Sequence, residues 1–224
     1  MPKYYIGLSY LSTNKPKARK EQRAEARRLL SLFEGRPISD NDIAMEENGR
    51  PFFPGRRTDF NITHSKNMVA VSMVNGPNIR TGCDIELVRP RVKALEIAEE
   101  FFSASERNYA FSGGERSGDQ ARFYHIWTLK ECFLKLHGLT VFDMARAPSF
   151  IGNDGCLHCD FDNTVFNLYE LSGSNERYIL AAAIEGGRQL QPSIQWFSRS
   201  FLPVKSITEI KAALSPDVMV SPNI

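Results

Sequence analysis

The sequence predicts a mixed α/β (α+β) fold made of two halves of comparable make-up. Two observations favour this class: strands and helices do not alternate regularly, and a strand–helix–strands order is followed by helices and then further strands. The pattern of residues along the sequence changes near residue 80. We therefore expect one subdomain over residues 1–80 and a second over residues 81–224.

The first half begins with a run at residues 4–11, rich in Tyr, Ile and Leu, that is typical of a strand. Residues 15–33 carry apolar side chains at helical spacing, and they predict a helix whose early part is strongly basic. Short strands are predicted at residues 59–63 and 68–73. A further strand at residues 81–88 opens the second half.

The second half carries its helices first. Apolar and acidic residues at helical spacing predict a helix over residues 92–101, and Ser103 with Glu106 forms a capping-box pattern that starts another. Residues 119–136 form the longest helical run. A weak helix is predicted at residues 208–214. The strand-like runs are short: residues 150–151, 165–169, 178–184 and 193–197.

The composition excludes several classes of protein. The 224 residues carry 28 Lys and Arg against 26 Asp and Glu, a formal net charge of +2, which is too balanced for a histone-like nucleic-acid binder. With 42% hydrophobic residues, a packed core is expected. Neither a membrane span nor a signal peptide is recognisable. We expect a cytoplasmic protein without nucleic-acid or membrane partners.

The cysteines do not indicate a disulfide scaffold or a metal centre. Cys156 and Cys159 form a Cys-x-x-Cys motif around His158, but a second pair of zinc ligands at suitable spacing is missing. The preceding residues 153–155, Asn-Asp-Gly, predict a turn rather than the helix start typical of a redox motif. Free thiols are expected, and a role for Cys156 and Cys159 is left open.

Two carboxylates on the strand at residues 81–88 are the first indication of function. On a strand Asp84 and Glu86 face the same side, with Ile85 buried opposite. Neighbouring carboxylates repel each other unless a cation neutralises them, and oxygen ligands favour Mg²⁺ over Zn²⁺. A half-exposed strand with its polar residues outward is the alternative explanation.

Two further segments could complete such a site. Glu131 and Lys135 are four residues apart and share one face of the longest predicted helix, either as a third carboxylate beside a phosphate ligand or as an ordinary surface ion pair. Thr63, His64 and Ser65 end a strand with two hydroxyls and an imidazole. These groups suit phosphate oxygens, and they also serve to cap loose backbone groups.

Taken in order, these segments resemble the 4′-phosphopantetheinyl transferases of the surfactin-synthetase-activating type. That family's patterns are Gly-Lys-Pro, Asn-x-Ser-His-Ser, Gly-x-Asp-x-Glu and Trp-(Ser/Thr)-x-Lys-Glu-x-x-x-Lys. Arg50 stands where the family often has Lys, and either side chain can hold a phosphate. Thr63 stands where Ser is usual, and it keeps the hydroxyl group. The matching strings here are Asn48-Gly-Arg-Pro51, Phe60-Asn-Ile-Thr-His-Ser65, Gly82-Cys-Asp-Ile-Glu86, Phe101-Phe-Ser103 with Glu106, and Trp127-Thr-Leu-Lys-Glu131 with Lys135.

The resemblance implies two similar small α/β subdomains with the active site in the cleft between them, in a chain that works as a monomer. It implies transfer of the 4′-phosphopantetheine group from coenzyme A to a serine of an apo acyl or peptidyl carrier protein, leaving adenosine 3′,5′-bisphosphate. Asp84, Glu86 and Glu131 would hold Mg²⁺, or Mn²⁺, with a pyrophosphate oxygen. Glu131 would also accept the serine proton, and Lys135 would neutralise the departing phosphate.

The resemblance also implies a place for the rest of the coenzyme. Arg50, Thr63 and His64 would hold its 3′-phosphate and adenosine end, and Arg23 or Lys17 of the basic helix would add to that pocket. Carrier proteins resemble acidic helical bundles, so the candidate contacts are basic or apolar: Arg89, Arg91, Lys93, and the apolar residues Leu139, Val141, Phe142 and Met144. For Val141 and Phe142 we expect a place in the core instead.

Two other functions compete with this one. A homologue could bind coenzyme A or a carrier protein without catalysis, but the presence of all three carboxylates and Lys135 argues against it. A nucleic-acid-binding module could use the basic residues 15–28, although no aromatic platform lies beside them in the sequence. Fatty-acid, polyketide, peptidyl and lysine-pathway carriers fit the sequence equally well.

Overall fold

The computed structural model describes residues 2–11, 19–112, 120–173, 175–197 and 204–210. In these residues the chain forms two large β-sheets that pack face to face, with helices covering the outer side of each, and a separate two-stranded sheet. This is the mixed fold class that the sequence predicts. No helix in the described ranges is long and apolar enough to cross a membrane.

The elements follow one another along the chain without regular alternation. The α-helices are α1 (Arg19–Glu34), α2 (Ala94–Phe101), α3 (Ala104–Phe111) and α4 (Ala121–His137), and short 3₁₀-helices lie at Asp40–Asp42 and Val141–Arg146. The strands are β1 (Lys3–Tyr10), β2 (Ala44–Met45), β3 (Pro51–Phe52), β4 (Thr58–Ser65), β5 (Met68–Asn75), β6 (Arg80–Leu87), β7 (Asp160–Phe161), β8 (Thr164–Gly173), β9 (Arg177–Glu185), β10 (Ser193–Trp196) and β11 (Val204–Glu209).

The two sheets define two lobes with the same connectivity. The first lobe contains α1 and a sheet of order β10-β1-β5-β4, and the second contains α2 to α4 and a sheet of order β11-β8-β9-β6. In each lobe a first strand leads into the helical segment, and a hairpin then returns so that its second strand pairs antiparallel with the first strand. The predicted pair of similar α/β units is thus present in the topology.

Three clusters of buried apolar residues hold the layers together. The central cluster lies between the sheets and joins Ile6 and Leu8 of β1 to Leu180 and Ala182 of β9. The other two clusters pack α1 on the outer face of the first sheet and the remaining helices on the outer face of the second. Because successive strand residues point to opposite faces, each strand contributes to an inner and an outer layer.

The edge strands β4 and β6 meet through side chains rather than through backbone pairing. Every second residue of β4 accepts a hydrogen bond from a backbone N–H of β6, and we call these four residues the side-chain ladder. The acceptors Asp59, Asn61, Thr63 and Ser65 receive bonds from the N–H groups of Thr81, Cys83, Ile85 and Leu87 at 2.7, 3.3, 3.3 and 3.0 Å, respectively. The ladder thus fixes the register of one lobe against the other.

Most predicted elements are confirmed, including the strands now numbered β1, β4, β5, β6, β8 and β9 and the long helix α4. The start of the predicted basic helix, residues 15–18, lies outside the described residues. The helix predicted at residues 208–214 is wrong at its beginning, because Thr208 and Glu209 belong to β11 and pair with β8. Tertiary pairing overrides a weak local preference there.

The predicted division after residue 80 falls where β6 begins. One strand departs from that division: β10 was expected in the second subdomain, but it completes the first sheet by running parallel to β1. β1 precedes β10 by almost two hundred residues, which is most of the chain, and no local pattern therefore indicates the pairing. The first lobe therefore includes a strand from near the end of the chain.

Candidate active site

The side of β6 that carries Asp84 and Glu86 lies under α4. Asp84 is buried and Glu86 is partly buried, while Cys83 and Ile85 point the other way into the core between the sheets. The alternation that the sequence predicts for this strand is confirmed.

A glycine lets α4 lie unusually close to β6. A Cβ added at Gly82 would stand 2.8 Å from the carbonyl oxygen of Cys132 and 2.8 Å from Cβ of Leu136. The first contact is to backbone, which cannot move aside without shifting the helix. The absence of a side chain at this position therefore brings the turns that carry Glu131 and Lys135 over the carboxylates of β6.

Lys135 contacts Asp84 directly. Its Nζ lies 2.5 Å from Oδ1 of Asp84 and 3.0 Å from the hydroxyl oxygen of Thr63, which itself donates to the same carboxylate oxygen at 2.9 Å. Burial acts to lower the pKa of Lys135, but the charge of Asp84 and the hydrogen bond to it outweigh burial and raise the pKa. Lys135 is therefore protonated and positively charged beside Asp84.

The carboxylates of the site carry more negative charge than one lysine neutralises. Burial, followed by the charge of Asp84, raises the pKa of Glu131 to about 7. The same two causes raise the pKa of Glu86 above its ordinary value. Carboxyl pKa values raised by burial and by mutual repulsion are typical of a functional site that binds a cation or moves a proton.

One buried atom also fits a cation. Oδ2 of Asp84 is buried and has no hydrogen-bond partner among the described residues, which is costly for a carboxylate oxygen. Magnesium usually binds through one or two protein carboxylates together with substrate phosphates and water. Within the described part of the chain no three His, Cys, Asp or Glu side chains already converge as a metal site. Metal binding by Asp84, Glu86 and Glu131 remains a prediction that the donor chemistry supports.

His64 lies on the other face of β4, exposed, next to the start of α1. The side-chain amide of Gln22 donates to the carbonyl of Lys66 at 2.9 Å and holds this end of α1 against the β4–β5 turn. Burial, then the charges of Lys135 and Arg19, lower the pKa of His64. A neutral imidazole among cations is the environment that an incoming phosphate would complement.

The comparisons with known proteins agree with this geometry. The profile of the 4′-phosphopantetheinyl transferase superfamily matches residues 80–190, which include β6 and α4. A 4′-phosphopantetheinyl transferase AcpT from Salmonella typhi is 30% identical over 158 residues, 65% of this chain and 80% of that protein. The chain belongs to the 4′-phosphopantetheinyl transferase superfamily. It is accordingly a transferase.

Other members of the superfamily match over different lengths. The 4′-phosphopantetheinyl transferase pptA of Paxillus involutus is 29% identical over 191 residues, 75% of this chain and 71% of that protein. The transferase Sfp of Bacillus subtilis is 35% identical over 101 residues, 45% of this chain and 42% of that protein. The matches at about 30% identity place this transferase in the superfamily and do not assign it to the Sfp type.

Arg50 of the transferase is buried and its side chain is held by neighbouring residues. Its side chain is 1% exposed and forms a two-pronged pair with Asp59, at 2.8 and 2.6 Å, while also donating to the carbonyl of Thr81 at 2.9 Å. A guanidinium committed in this way fastens β4 to β6. Its position gives no support to the prediction that it binds the coenzyme's phosphate.

The basic residues of α1 differ from those singled out in the sequence. Arg23 is exposed, and Lys17 lies outside the described residues. Arg19, one helical turn before Arg23, is the described residue of α1 whose charge acts on His64. The sequence signal was present, because Arg19 and Arg23 are four apart and share a helix face, but residue spacing alone does not tell which turn meets β4.

Sequence reasoning missed the ion pair that holds α4 in place. Lys130 forms an ion pair with Glu106 at 3.2 Å, and both side chains are almost fully buried. Glu106 also accepts from the backbone N–H groups of Ser103 and Phe150 at 2.7 and 3.0 Å. The capping-box signal located Glu106, but only the fold shows that the same carboxylate fixes the residue next to Glu131.

An aromatic residue and an arginine border the carboxylates on the other side. The side chain of Trp127 acts to lower the pKa of Glu86, and the guanidinium of Arg91 lies 4.9 Å from the centre of the Trp127 ring. Arg91 also acts electrostatically on Glu131. Arg91 therefore lies beside the carboxylates, in the loop that is expected to contact a carrier protein.

The remaining predictions have mixed outcomes. Cys156 and Cys159 are free thiols, as expected. The prediction that Val141 and Phe142 lie in the core is wrong, since they are 37% and 95% exposed on a 3₁₀-helix. A groove of about 830 Å³ lies at the far end of α1, and none of the predicted site residues lines it.

Proposed function

We propose that the protein transfers the 4′-phosphopantetheine group of coenzyme A to a serine hydroxyl of an apo acyl or peptidyl carrier protein. The released product is adenosine 3′,5′-bisphosphate. The observation that carries the proposal is the contact of Lys135 of α4 with Asp84 of β6, together with the electrostatic action of Asp84 and Glu86 on Glu131 of the same helix. His64, with the cation Arg19 acting on it, lies on the neighbouring strand.

The reaction moves phosphorus between two oxygens. The serine oxygen attacks the β-phosphorus of the coenzyme's pyrophosphate, the bond from that phosphorus to the bridging oxygen breaks, and the bridging oxygen leaves with the adenosine bisphosphate. Such transfers depend on alignment and on neutralising charge, and need no covalent intermediate with the protein. The residues in the cleft supply both requirements.

Each residue of the cleft has a proposed task. Asp84, Glu86 and Glu131 would hold Mg²⁺, which when bound neutralises pyrophosphate oxygens. Glu131 would also take the serine proton; without a metal, burial and the charge of Asp84 raise its pKa to about 7, and a bound cation would lower that pKa. Lys135 keeps its proton and can offset the charge that develops on the departing bridging oxygen. His64 with Arg19 would receive the 3′-phosphate.

The loop after β6 supports a carrier-protein contact. Arg89 and Lys93 are exposed, and Val92 between them is fully exposed. Positive and apolar groups side by side suit an acidic helical partner, because charge steers the encounter and apolar contact holds it. Both lobes of the cleft come from one chain, which supports activity as a monomer. This arrangement is also the basis for proposing the Sfp type.

Intact-mass spectrometry tests the proposed function directly. A purified apo acyl carrier protein and an apo peptidyl carrier protein are each incubated with the protein, coenzyme A and Mg²⁺. We expect the carrier to gain the mass of one phosphopantetheine arm, and we expect no gain when a chelator is present. A carrier mutated at its acceptor serine is the control. Unmodified carriers together with measurable coenzyme A binding would instead indicate a binding-only homologue.

A Lys135→Ala variant tests the role of the lysine. Loss of the ammonium should lower the turnover number by about 100-fold or more and leave the KM for the carrier nearly unchanged, since Lys135 acts on the departing oxygen. The reverse pattern, with an intact turnover number and a raised KM for the carrier, would contradict the assignment.

A further inference from the structure

The hydroxyl groups of the side-chain ladder join β4 to β6, and they also contact the carboxylates of the site. Thr63 and Ser65 stand two residues apart on β4, opposite Asp84 and Glu86, which stand two residues apart on β6. Each hydroxyl contacts one of the two carboxylates, at 2.9 Å for Thr63 and 3.1 Å for Ser65.

The hydroxyl of Thr63 has no hydrogen-bonding capacity left. A hydroxyl has one proton to donate and two lone pairs that accept. The N–H of Ile85 donates to Thr63 at 3.3 Å and Nζ of Lys135 donates to it at 3.0 Å, so both lone pairs are occupied. The single proton therefore points to Oδ1 of Asp84. To donate to a coenzyme phosphate, Thr63 would have to release a buried carboxylate.

Ser65 is oriented by the same rule. The backbone N–H of Leu87 donates to its oxygen at 3.0 Å, and its proton goes to Oε2 of Glu86. The backbone of β6 thus orients both hydroxyls, and each hydroxyl returns its proton to a carboxylate one residue away on the same strand. The ladder couples the position of the strand to the direction of its acidic side chains.

We propose that Thr63 and Ser65 are positioning residues that hold Asp84 and Glu86 ready for a divalent cation, and that neither is a ligand of the coenzyme's phosphate. The inference rests on the proposed function for its cation and assigns the phosphate to His64 and Arg19. Carboxylates that bind metals are held by hydrogen bonds from a second layer of residues, whose loss commonly weakens metal binding by about 10–100-fold.

Mn²⁺ titrations test the proposal without a carrier protein. Binding of Mn²⁺ alone is followed by electron paramagnetic resonance for the wild type, Thr63→Val and Ser65→Ala. We expect each variant to bind Mn²⁺ about tenfold more weakly. Thr63→Ser keeps the hydroxyl and should restore the affinity. Ser72→Ala is the matched control: it removes a buried hydroxyl from β5, beside Cys83 and opposite Asn61, and should bind Mn²⁺ as the wild type does.

A second titration separates positioning from phosphate binding. Calorimetry with adenosine 3′,5′-bisphosphate in the absence of metal should give the same affinity for Thr63→Val and the wild type, within about twofold. Weaker bisphosphate binding with unchanged Mn²⁺ binding would overturn the proposal and make Thr63 a coenzyme ligand. So would a wild type that binds no Mn²⁺.

The two proposals fail in different experiments. Ser65 lies half-buried at the end of β4, so Ser65→Ala should fold even if Thr63→Val does not. Unmodified carriers in the mass assay, together with the expected Mn²⁺ pattern, would remove the proposed transfer and leave the cation-positioning role. Normal transfer with unchanged Mn²⁺ affinity in Ser65→Ala would do the opposite.

Discussion

The two lobes share one connectivity but differ in how closely the helix approaches the sheet. Each lobe has a glycine on its first strand beneath its helix. A Cβ added at Gly7 would meet only side-chain atoms of Leu29 and Met73, at 3.6 Å, which is ordinary contact. A Cβ added at Gly82 would meet the backbone of α4 at 2.8 Å. The second lobe therefore packs its helix onto the strand at a distance that the first lobe does not require.

This difference separates two tasks. Close packing in the second lobe brings side chains of α4 onto the carboxylates of β6, which suits chemistry that needs fixed distances. The first lobe contributes the side-chain ladder and an exposed edge with His64 and the cation Arg19, which suits the binding of a charged substrate. The same β–α–β–β connectivity therefore supports two proposed surfaces. We call Asp84, Glu86, Glu131 and Lys135 of the second lobe the catalytic wall, and His64 with Arg19 of the first lobe the binding wall.

The largest expected effect comes from removing a carboxylate of the catalytic wall. Glu131→Ala should lower the rate of phosphopantetheine transfer by more than about 1000-fold, on the order of 4 kcal/mol of barrier, because both the proposed base and a proposed metal ligand are lost. Mass spectrometry of the carrier over time measures the rate. Glu100→Ala, which removes an exposed carboxylate of α2, is the control and should retain full activity. A residual rate within tenfold of wild type would contradict both roles of Glu131.

The seam between the lobes is tested next. Arg50→Ala leaves Asp59 without its charged partner and should lower the free energy of unfolding by about 3 kcal/mol, measured by urea denaturation. Arg80→Ala removes an arginine that is 37% exposed and pairs with Glu46, and it should cost less than about 1 kcal/mol. If Arg50 instead binds phosphate, the bisphosphate affinity of the folded variant would fall about tenfold or more, and its stability would hardly change.

The comparison of the two glycines can be tested directly. Gly82→Ala should destabilise the protein by about 1–3 kcal/mol and reduce transfer, because the added carbon meets backbone that must shift. Gly7→Ala should change stability by less than about 1 kcal/mol, since its Cβ has ordinary neighbours. Urea denaturation of both variants, with transfer rates on the folded fraction, checks this. Equal effects at the two positions would remove the packing difference between the lobes.

The smallest expected effect is the uptake of protons by His64 when the bisphosphate binds. Because burial and nearby cations lower the pKa of His64, the imidazole is neutral at pH 7 in the free protein. A bound phosphate favours the charged form and raises that pKa, so binding should take up a fraction of a proton, and affinity should fall as pH rises through this window. Calorimetry with adenosine 3′,5′-bisphosphate in two buffers of different ionisation enthalpy measures the uptake. His64→Gln should abolish it; an unchanged uptake would place the phosphate elsewhere.

The candidate site was predictable from the sequence to the extent that it depends on local geometry. A strand places Asp84 and Glu86 on one face, a helix does the same for Glu131 and Lys135, and the motifs around them resemble a known family. The contacts that tertiary packing creates were not predictable in this way. Arg50 has the right charge for a phosphate, but its pairing with Asp59 depends on where β4 meets β6.

The side-chain ladder shows where a further signal lay. Asp59, Asn61, Thr63 and Ser65 form an alternating row of short polar residues on one face of β4, a pattern that suits acceptance of hydrogen bonds from a neighbouring backbone. The sequence shows the row but not the neighbour. The parallel pairing of β10 with β1 was hidden for the same reason, since both depend on segments far apart in the chain.

The two-lobe α/β class, the strand and helix that carry the acidic residues, and the family follow from the residues in their order. Periodicity and residue chemistry are properties of short segments, and a sequence displays them directly. Three features follow from the folded chain instead: α4 lies against Gly82, Thr63 donates its proton to Asp84, and Arg50 joins β4 to β6. Those outcomes follow from distances between segments, which are set when the buried surfaces of the two lobes pack together.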